Sequence, residues 1–111
     1  MALSADLLRG YTDTIILRRL SCGDSYGYHI SKEVALISSG GLEMKEATLY
    51  TAFRRLETAG FIRSYWGDEN TGARRRYYAI TEDGLTQLAH DLAVWEETKT
   101  MMDRLLKEDV K

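Results

Sequence analysis

The side chains best suited to catalysis or metal binding are two histidines and one cysteine. His29 and His90 fall in different predicted helices, and only His29 has an acidic residue, Glu33, at helical spacing after it. A single histidine–glutamate pair on a helix is far more often exposed surface than a metal site. Cys22 falls in a predicted turn with no indicated base, which favours an inert thiol over a nucleophile. We therefore expect no enzymatic activity, no metal and no cofactor.

Clustered basic side chains are a stronger chemical signal. The net charge is −2. Residues 41–80 nevertheless carry seven basic and five acidic side chains, whereas residues 81–111 carry four basic and eight acidic ones. A basic middle segment beside an acidic last segment predicts one surface for phosphate and a separate surface for another partner.

Hydrophobic spacing and turn residues predict the elements that position these groups. Apolar residues three or four apart predict three helices: residues 3–20, 25–38 and 44–59. Two β-rich runs predict a hairpin: residues 61–66 and 75–80, joined by a polar tip at 67–73. Ser25 is expected to cap the second helix, and Gly60 to end the third in a left-handed conformation. Thr81 is expected to cap a last helix that continues to about residue 107.

This order of elements is typical of a winged helix-turn-helix. The predicted fold class is α+β, mostly α, with one long C-terminal dimerisation helix. Residues 1–80 would form the winged-helix DNA-binding domain, whose first helix is shared with the dimer interface, and residues 81–111 the dimerisation helix. The sequence has no apolar run long enough for a membrane span and no signal-peptide pattern. With a single cysteine, we expect a cytoplasmic protein with no membrane partner.

The third helix has two contrasting faces. Its core face is predicted to comprise four residues: Leu49, Ala52, Phe53 and Leu56. Its outer face combines small or hydroxylated residues with arginines, including Arg55, and suits contacts with base edges and phosphates in a major groove. The expected DNA-binding residues of this helix are Lys45, Ala47, Thr48, Tyr50, Thr51 and Arg54. For an isolated helix, an ordinary solvated polar face would be the more common explanation.

The hairpin favours DNA binding over an ordinary solvated polar face. Arg74 and Arg75, with Arg76, follow the glycine-containing tip, where a wing would contact backbone phosphate. Charged residues also protect exposed sheet edges, so this cluster has a structural explanation as well. Two basic features on successive elements favour DNA binding. The alternative is a winged-helix module that binds another protein and no small-molecule ligand, which would not require arginines at 54, 74 and 75.

The last helix carries an apolar seam at alternating steps of three and four, interrupted by Lys99. The predicted dimerisation residues are Leu85, Leu88, Leu92, Trp95, Met102 and Leu106. The seam could instead cover the chain's own first helix, but its length favours a homodimer. Such a dimer would read a palindromic double-stranded operator with half-sites roughly 34 Å apart. From the residue pattern alone, Trp95 is best explained as packing within that interface.

Several short motifs together resemble the PadR family of bacterial transcriptional regulators. The matching stretches are Tyr26-Gly27-Tyr28-His29-Ile30, Ala47-Thr48-Leu49-Tyr50, Arg54-Arg55-Leu56-Glu57 with Gly60, Arg75-Arg76-Tyr77-Tyr78, and Thr81 with Gly84. Each motif is weak alone, but their order and spacing are specific. The single long C-terminal helix is similar to the short subfamily, and the third helix and first strand to its multidrug-resistance regulators.

The resemblance implies a homodimeric repressor of a neighbouring gene, often an efflux transporter. It also implies a pore at the dimer centre, where paired tryptophans sandwich a planar aromatic effector. The positions that match its ligand-binding residues are Trp95, Leu7, Thr14, Arg18, Gln87, Asp91, Leu92 and Lys99. Lys99 replaces an aspartate and Arg18 an asparagine of that pattern. We therefore expect a neutral or anionic ligand, with Asp91 neutralising one of the two bases.

Overall fold

The structure is a computed structural model that describes residues 9–67 and 74–110. A short 3-10 turn, Arg9–Tyr11, precedes the first α-helix. The elements that follow are α1 (Thr12–Ser21), α2 (Gly27–Ile37), α3 (Glu46–Thr58), β1 (Ile62–Trp66), β2 (Arg76–Ile80) and α4 (Glu82–Lys107). The predicted class, mostly helical with one small antiparallel hairpin and a long last helix, is confirmed.

The core lies where α1, α2 and α3 meet the hairpin. The predicted core face of α3 is confirmed, because all four of its residues are buried. Phe53 is 1% exposed and stacks on Tyr78 of β2, with ring centroids 4.0 Å apart. This contact fixes the hairpin against α3. The third helix and the wing are therefore held by one shared core.

The hairpin pairs β1 and β2 in antiparallel register, with Ile62 opposite Ile80 and Trp66 opposite Arg76. Beyond the strands, the Gly67 amide donates to the Arg75 carbonyl at 2.8 Å, which continues the ladder towards the tip. A Cβ on Gly67 would collide with the Tyr77 ring, so glycine is needed there. Residues 68–73 of the predicted tip lie outside the described residues.

Two predicted helix starts are wrong. Ser25 is not the cap of α2; Tyr26 occupies that position. Ser25 is 4% exposed and instead forms a β-bridge with Tyr78, while its hydroxyl lies 2.9 Å from His29 Nδ1. The third helix begins at Glu46 and not at Met44, whose side chain is buried in the core. The loop before each helix is thus used for tertiary packing.

The first helix also differs from its prediction. The predicted roles of Gly60 at the end of α3 and of Thr81 as the cap of α4 are confirmed. Of the predicted helix over residues 3–20, residues 9–11 form the 3-10 turn and the α-helix runs to Ser21. Residues 3–8 lie outside the described residues. Gly60 has a φ of +82°, as expected after α3. The Thr81 hydroxyl accepts from the Gly84 amide at 3.1 Å, and α4 ends at Lys107 as predicted.

The helix α4 has two halves with different surroundings. Near its start, Gly84 is buried against the Phe61 carbonyl and Ile80, so that the helix begins directly beneath the base of the hairpin. Leu88, one turn later, is 6% exposed and belongs to the core. Beyond Leu92 the apolar side chains are exposed. The distal half of α4 therefore extends away from the domain that its first half helps to build.

Candidate functional site

The outer face of α3 is fully available to a partner. The six DNA-binding residues predicted from this helix are all exposed: Lys45, Ala47, Thr48, Tyr50, Thr51 and Arg54. Tyr50 is 48% exposed, and its ring contacts the edge of Phe53, with centroids 6.1 Å apart. The side chains near the N-terminal end are small, which allows the helix backbone to approach a second macromolecule closely.

Arg55 belongs to a different surface from the one its position on the helix suggested. Its guanidinium donates to both carboxylate oxygens of Asp13 on α1, with Nε 2.9 Å from Oδ2. The hydrogen bond to Asp13 raises the pKa of Arg55, and the charge of Asp13 adds to this effect. Arg55 therefore joins α3 to α1, while Arg54 stays on the open face.

The three consecutive arginines of the hairpin have three different environments. Arg76 donates to the Ser64 hydroxyl at 2.8 Å and lies 3.8 Å from the Glu57 carboxylate. Because Ser64 also donates to Glu57 at 2.7 Å, this network joins the end of α3 to the wing. Arg75 lies over the Tyr26 ring, 4.8 Å from its centroid. Arg74 lies over the Trp66 ring at 5.6 Å.

An aromatic cluster that was not predicted lies at the end of the paired strands nearest the tip of the hairpin. Tyr65 and Tyr77 stack across the strands with centroids 5.7 Å apart, and Tyr77 contacts the edge of Tyr26. The Tyr65 hydroxyl donates to Asp24 at 2.6 Å, and this hydrogen bond raises the pKa of Tyr65. The sequence signal was the period-2 placement of aromatic residues on paired strands.

A groove of about 920 Å³ runs between α1, the end of α2 and α4. Six of the eight positions that the family resemblance assigned to ligand binding line it: Thr14, Arg18, Gln87, Asp91, Leu92 and Trp95. Lys99 lies at its margin, with Nζ 5.6 Å from the Trp95 ring centroid. Leu7 lies outside the described residues. The prediction missed several lining residues, among them Tyr11, Val34, Ile37, Leu42 and Thr98.

The polar contacts of the groove differ from the expectation for Asp91. Its carboxylate accepts hydrogen bonds from the Thr14 hydroxyl at 3.0 Å and the Gln87 amide at 2.8 Å, and it pairs with neither predicted base. Lys99 instead pairs with Glu96 at 3.1 Å. Arg18 donates to Ser21 and Cys22. Asp91 is therefore held by neutral donors, and the idea that it neutralises a base in the groove is wrong for this conformation.

Trp95 lies on the wall of this groove and is 39% exposed. The Tyr11 ring meets it edge-on, with centroids 5.3 Å apart and planes at 81°. This T-shaped contact favours one orientation of the indole. The groove wall therefore includes one aromatic ring, that of Trp95, whose orientation depends on its contact with Tyr11.

The predicted seam of α4 is exposed at five of six positions. Leu85, Leu92, Trp95, Met102 and Leu106 are between 39% and 74% exposed. The exception is Leu88, which is buried in the core of its own chain and cannot be an interface contact without unpacking it. Leu88 is therefore a core residue and not a residue of the proposed interface. The alternative that the seam covers the first helix also applies in part to Trp95, whose ring contacts Tyr11.

No group of three or more potential metal-ligating side chains occurs among residues 9–67 and 74–110. In the same part of the chain, no helix is both long enough and apolar enough to span a membrane.

Known proteins match this chain over most of its length. The model of the transcriptional regulator PadR-like family matches residues 16–90. An uncharacterised protein of Lysinibacillus sphaericus is 40% identical over 103 residues, which cover 93% of this chain and 94% of that protein. A transcriptional regulator from Clostridium thermocellum superposes with a TM-score of 0.85 at 46% identity, covering 92% of this chain and 99% of that one. A PadR family regulator from Clostridium difficile has a TM-score of 0.77 at 35% identity, covering 86% and 98%.

Proposed function

Because the chain belongs to the PadR-like family of transcriptional regulators, which are DNA-binding proteins and not enzymes, we propose that it is a repressor. In this proposal a homodimer binds a palindromic operator near an efflux or stress gene and is released by a planar aromatic effector. The observation that carries the proposal is the open outer face of α3 beside a wing with Arg74 and Arg75. Both are held by the same core through the Phe53–Tyr78 stack.

The residues of this surface divide into two roles. Ala47, Thr48 and Thr51 read base edges, because short side chains let the helix enter the major groove and can touch thymine methyls. The phosphate contacts come from Lys45, Tyr50, Arg54, Arg74 and Arg75. The Glu57–Ser64–Arg76 network supports this division, since it holds the wing in a fixed relation to the end of α3.

The homodimer is supported by the distal half of α4. Trp95, Met102 and Leu106 lie on one side of a helix that has left the core, and each is exposed. An amphipathic helix with an uncovered apolar seam is stabilised by a partner with the same seam. A two-fold partner would place two copies of α3 against successive half-sites of a palindrome.

The effector is proposed to be planar and neutral or anionic. The groove offers the oriented Trp95 indole for stacking. Its charged lining within the described residues comprises two guanidinium groups, Arg18 and Arg19, and one carboxylate, Asp91. A cationic guest would therefore meet an excess of like charge.

The first helix offers a route by which the effector could act on DNA binding. Asp13 on α1 holds Arg55 of α3, and the next residue, Thr14, holds Asp91 in the groove. A guest that displaces the Thr14–Asp91 contact would shift the helix that carries Asp13. We propose that α1 transmits occupancy of the groove to the DNA-reading helix in this way.

The DNA-binding assignment is tested with a fluorescent duplex from the region upstream of the gene, using anisotropy. Arg74→Ala is expected to weaken binding to every duplex alike, because phosphate contacts carry no sequence information. Thr48→Ala and Thr51→Ala are expected to alter the preference among base-substituted duplexes, by about 1–3 kcal/mol for a well-formed base contact. Uniform losses from all three substitutions would contradict the proposed roles, and no binding to any duplex would reject the function.

The effector assignment is tested by tryptophan quenching in a Trp66→Phe background, where Trp95 is the remaining fluorophore. Anthraquinone with a sulfonate substituent is expected to quench at lower concentration than the same ring with a trimethylammonium group. Trp95→Phe with Trp66 retained is the matched control, in which the emission of Trp66 should not be quenched. Preference for the cationic compound would contradict the proposed charge selectivity.

A further inference from the structure

Trp66 is an exposed indole at the end of β1 and lies close to two guanidinium groups. It is 54% exposed, and the Cζ atoms of Arg74 and Arg76 lie 5.6 and 5.7 Å from its ring centroid. The geometry follows from the hairpin register. Arg76 is directly opposite Trp66, and Arg74, two residues earlier, falls on the same face of an extended chain.

The two arginines differ in what else they contact. Arg76 donates a hydrogen bond to Ser64 and forms an ion pair with Glu57, so it belongs to the internal network of the wing. Arg74 forms no hydrogen bond or ion pair with any other described residue, so its neighbour in residues 9–67 and 74–110 is the indole of Trp66. No other described residue therefore competes with an incoming acceptor for the N–H donors of Arg74.

We propose that Trp66 is a positioning residue for DNA binding, whose ring holds the Arg74 guanidinium ready for a backbone phosphate. A planar guanidinium can stack on an indole while its N–H groups still point outward to donate hydrogen bonds to a phosphate. Confining a long side chain before binding reduces the freedom lost on association. This inference rests on the proposed DNA-binding function and assigns a role to a residue that itself need not touch DNA.

A double-substitution cycle tests the coupling between the two residues, with anisotropy measured on the same duplex at one salt concentration. Trp66→Ala is expected to weaken binding about three- to fivefold for each protomer that contacts the duplex, the range for an exposed cation–π contact. In an Arg74→Ala background the same substitution should have no further effect. The matched control is an Arg54→Ala background, in which the loss from Trp66→Ala should stay at its full size.

A second pair of variants distinguishes the contribution of the π electrons of the Trp66 ring from the contribution of its volume. Trp66→Phe keeps a π face and should retain most of the affinity, whereas Trp66→Leu keeps only apolar volume and should lose as much as Trp66→Ala. Thermal unfolding of each variant shows whether the wing is intact.

The outcomes distinguish this inference from the function on which it depends. If wild-type protein binds no duplex, the DNA-binding function itself fails. If wild-type protein binds and Arg74→Ala weakens it, but Trp66→Ala causes the same loss in both backgrounds, Trp66 acts independently of Arg74 and only the inference is overturned. Equal affinities of the Trp66→Phe and Trp66→Leu variants would also overturn it, because the indole would then contribute bulk alone.

Discussion

Arg74→Ala is expected to reduce the salt dependence of DNA binding by an amount that the structure defines. The basic residues of the proposed interface number four in each protomer: Lys45, Arg54, Arg74 and Arg75. Arg55 and Arg76 lie outside this set, because their contacts with Asp13 and Glu57 join α3 to α1 and to the wing.

In the proposed homodimer, two protomers would present eight cations to phosphate. At a slope of about −0.9 per phosphate neutralised, the logarithm of affinity should fall with the logarithm of salt at about −7. Between 50 and 200 mM salt this corresponds to a loss of about four decades in affinity. Arg74→Ala removes one cation from each protomer, so the slope should become about −5.

The measurement is anisotropy of a labelled upstream duplex at a series of sodium chloride concentrations. Arg104→Ala is the matched control, because it removes the same charge from the distal part of α4, where Arg104 lies 3.7 Å from Glu108. Its slope should equal that of the wild-type protein. The reasoning is refuted if Arg74→Ala leaves the slope unchanged, or if Arg104→Ala lowers it equally. A wild-type slope of about −4 would indicate that only one protomer contacts DNA.

Three further predictions concern the fold, the association surface and pH. Gly84→Ala should lower the free energy of unfolding by about 1–3 kcal/mol in urea, because its Cβ collides with a backbone carbonyl. Gly10→Ala, whose Cβ meets nothing within 4 Å, should change it by less than about 0.5 kcal/mol. Met102→Glu combined with Leu106→Glu should give a monomer in sedimentation equilibrium with helical circular dichroism retained; an unchanged dimer would exclude the distal half of α4 from the interface. Tyr65 has a pKa raised above its ordinary value of 10.0 by its hydrogen bond to a carboxylate, so the stabilisation is complete below pH 10 and is lost as pH rises through the folded-state pKa. Tyr65→Phe should therefore lose less stability above pH 10 than wild type, and identical pH profiles would contradict this.

Local signals in the sequence were sufficient for the order of the elements and for some of their ends. Thr81 caps α4 and Gly60 ends α3 because each acts on backbone groups within a few residues of itself. The four-residue core face of α3 follows from helical periodicity alone. These features require no knowledge of the rest of the chain, and so they were predictable.

Contacts between distant parts of the chain account for the errors. Ser25 could not be recognised as a bridge partner of Tyr78, 53 residues later, from its own neighbours. Arg55 has the same helical position as other outer-face residues, but Asp13 lies 42 residues earlier and removes it from that face. The same holds for Asp91, whose partner Thr14 is 77 residues away. Periodicity gives the face of a residue, but not which charged partner the fold brings to it.

The overall charge of −2 is a poor guide to the partner of this protein, and the structure gives the physical reason. The helix α4 is 26 residues long, or about 39 Å at 1.5 Å per residue, and it begins beneath the base of the wing. Its distal acidic residues, such as Asp103 and Glu108, are therefore several Debye lengths from that base, since screening acts over about 8 Å at physiological ionic strength. At that separation they contribute little to the potential around the base of the wing. In the proposed function, affinity for phosphate depends on the basic side chains that the fold exposes on α3 and the wing, and not on the net charge of the chain.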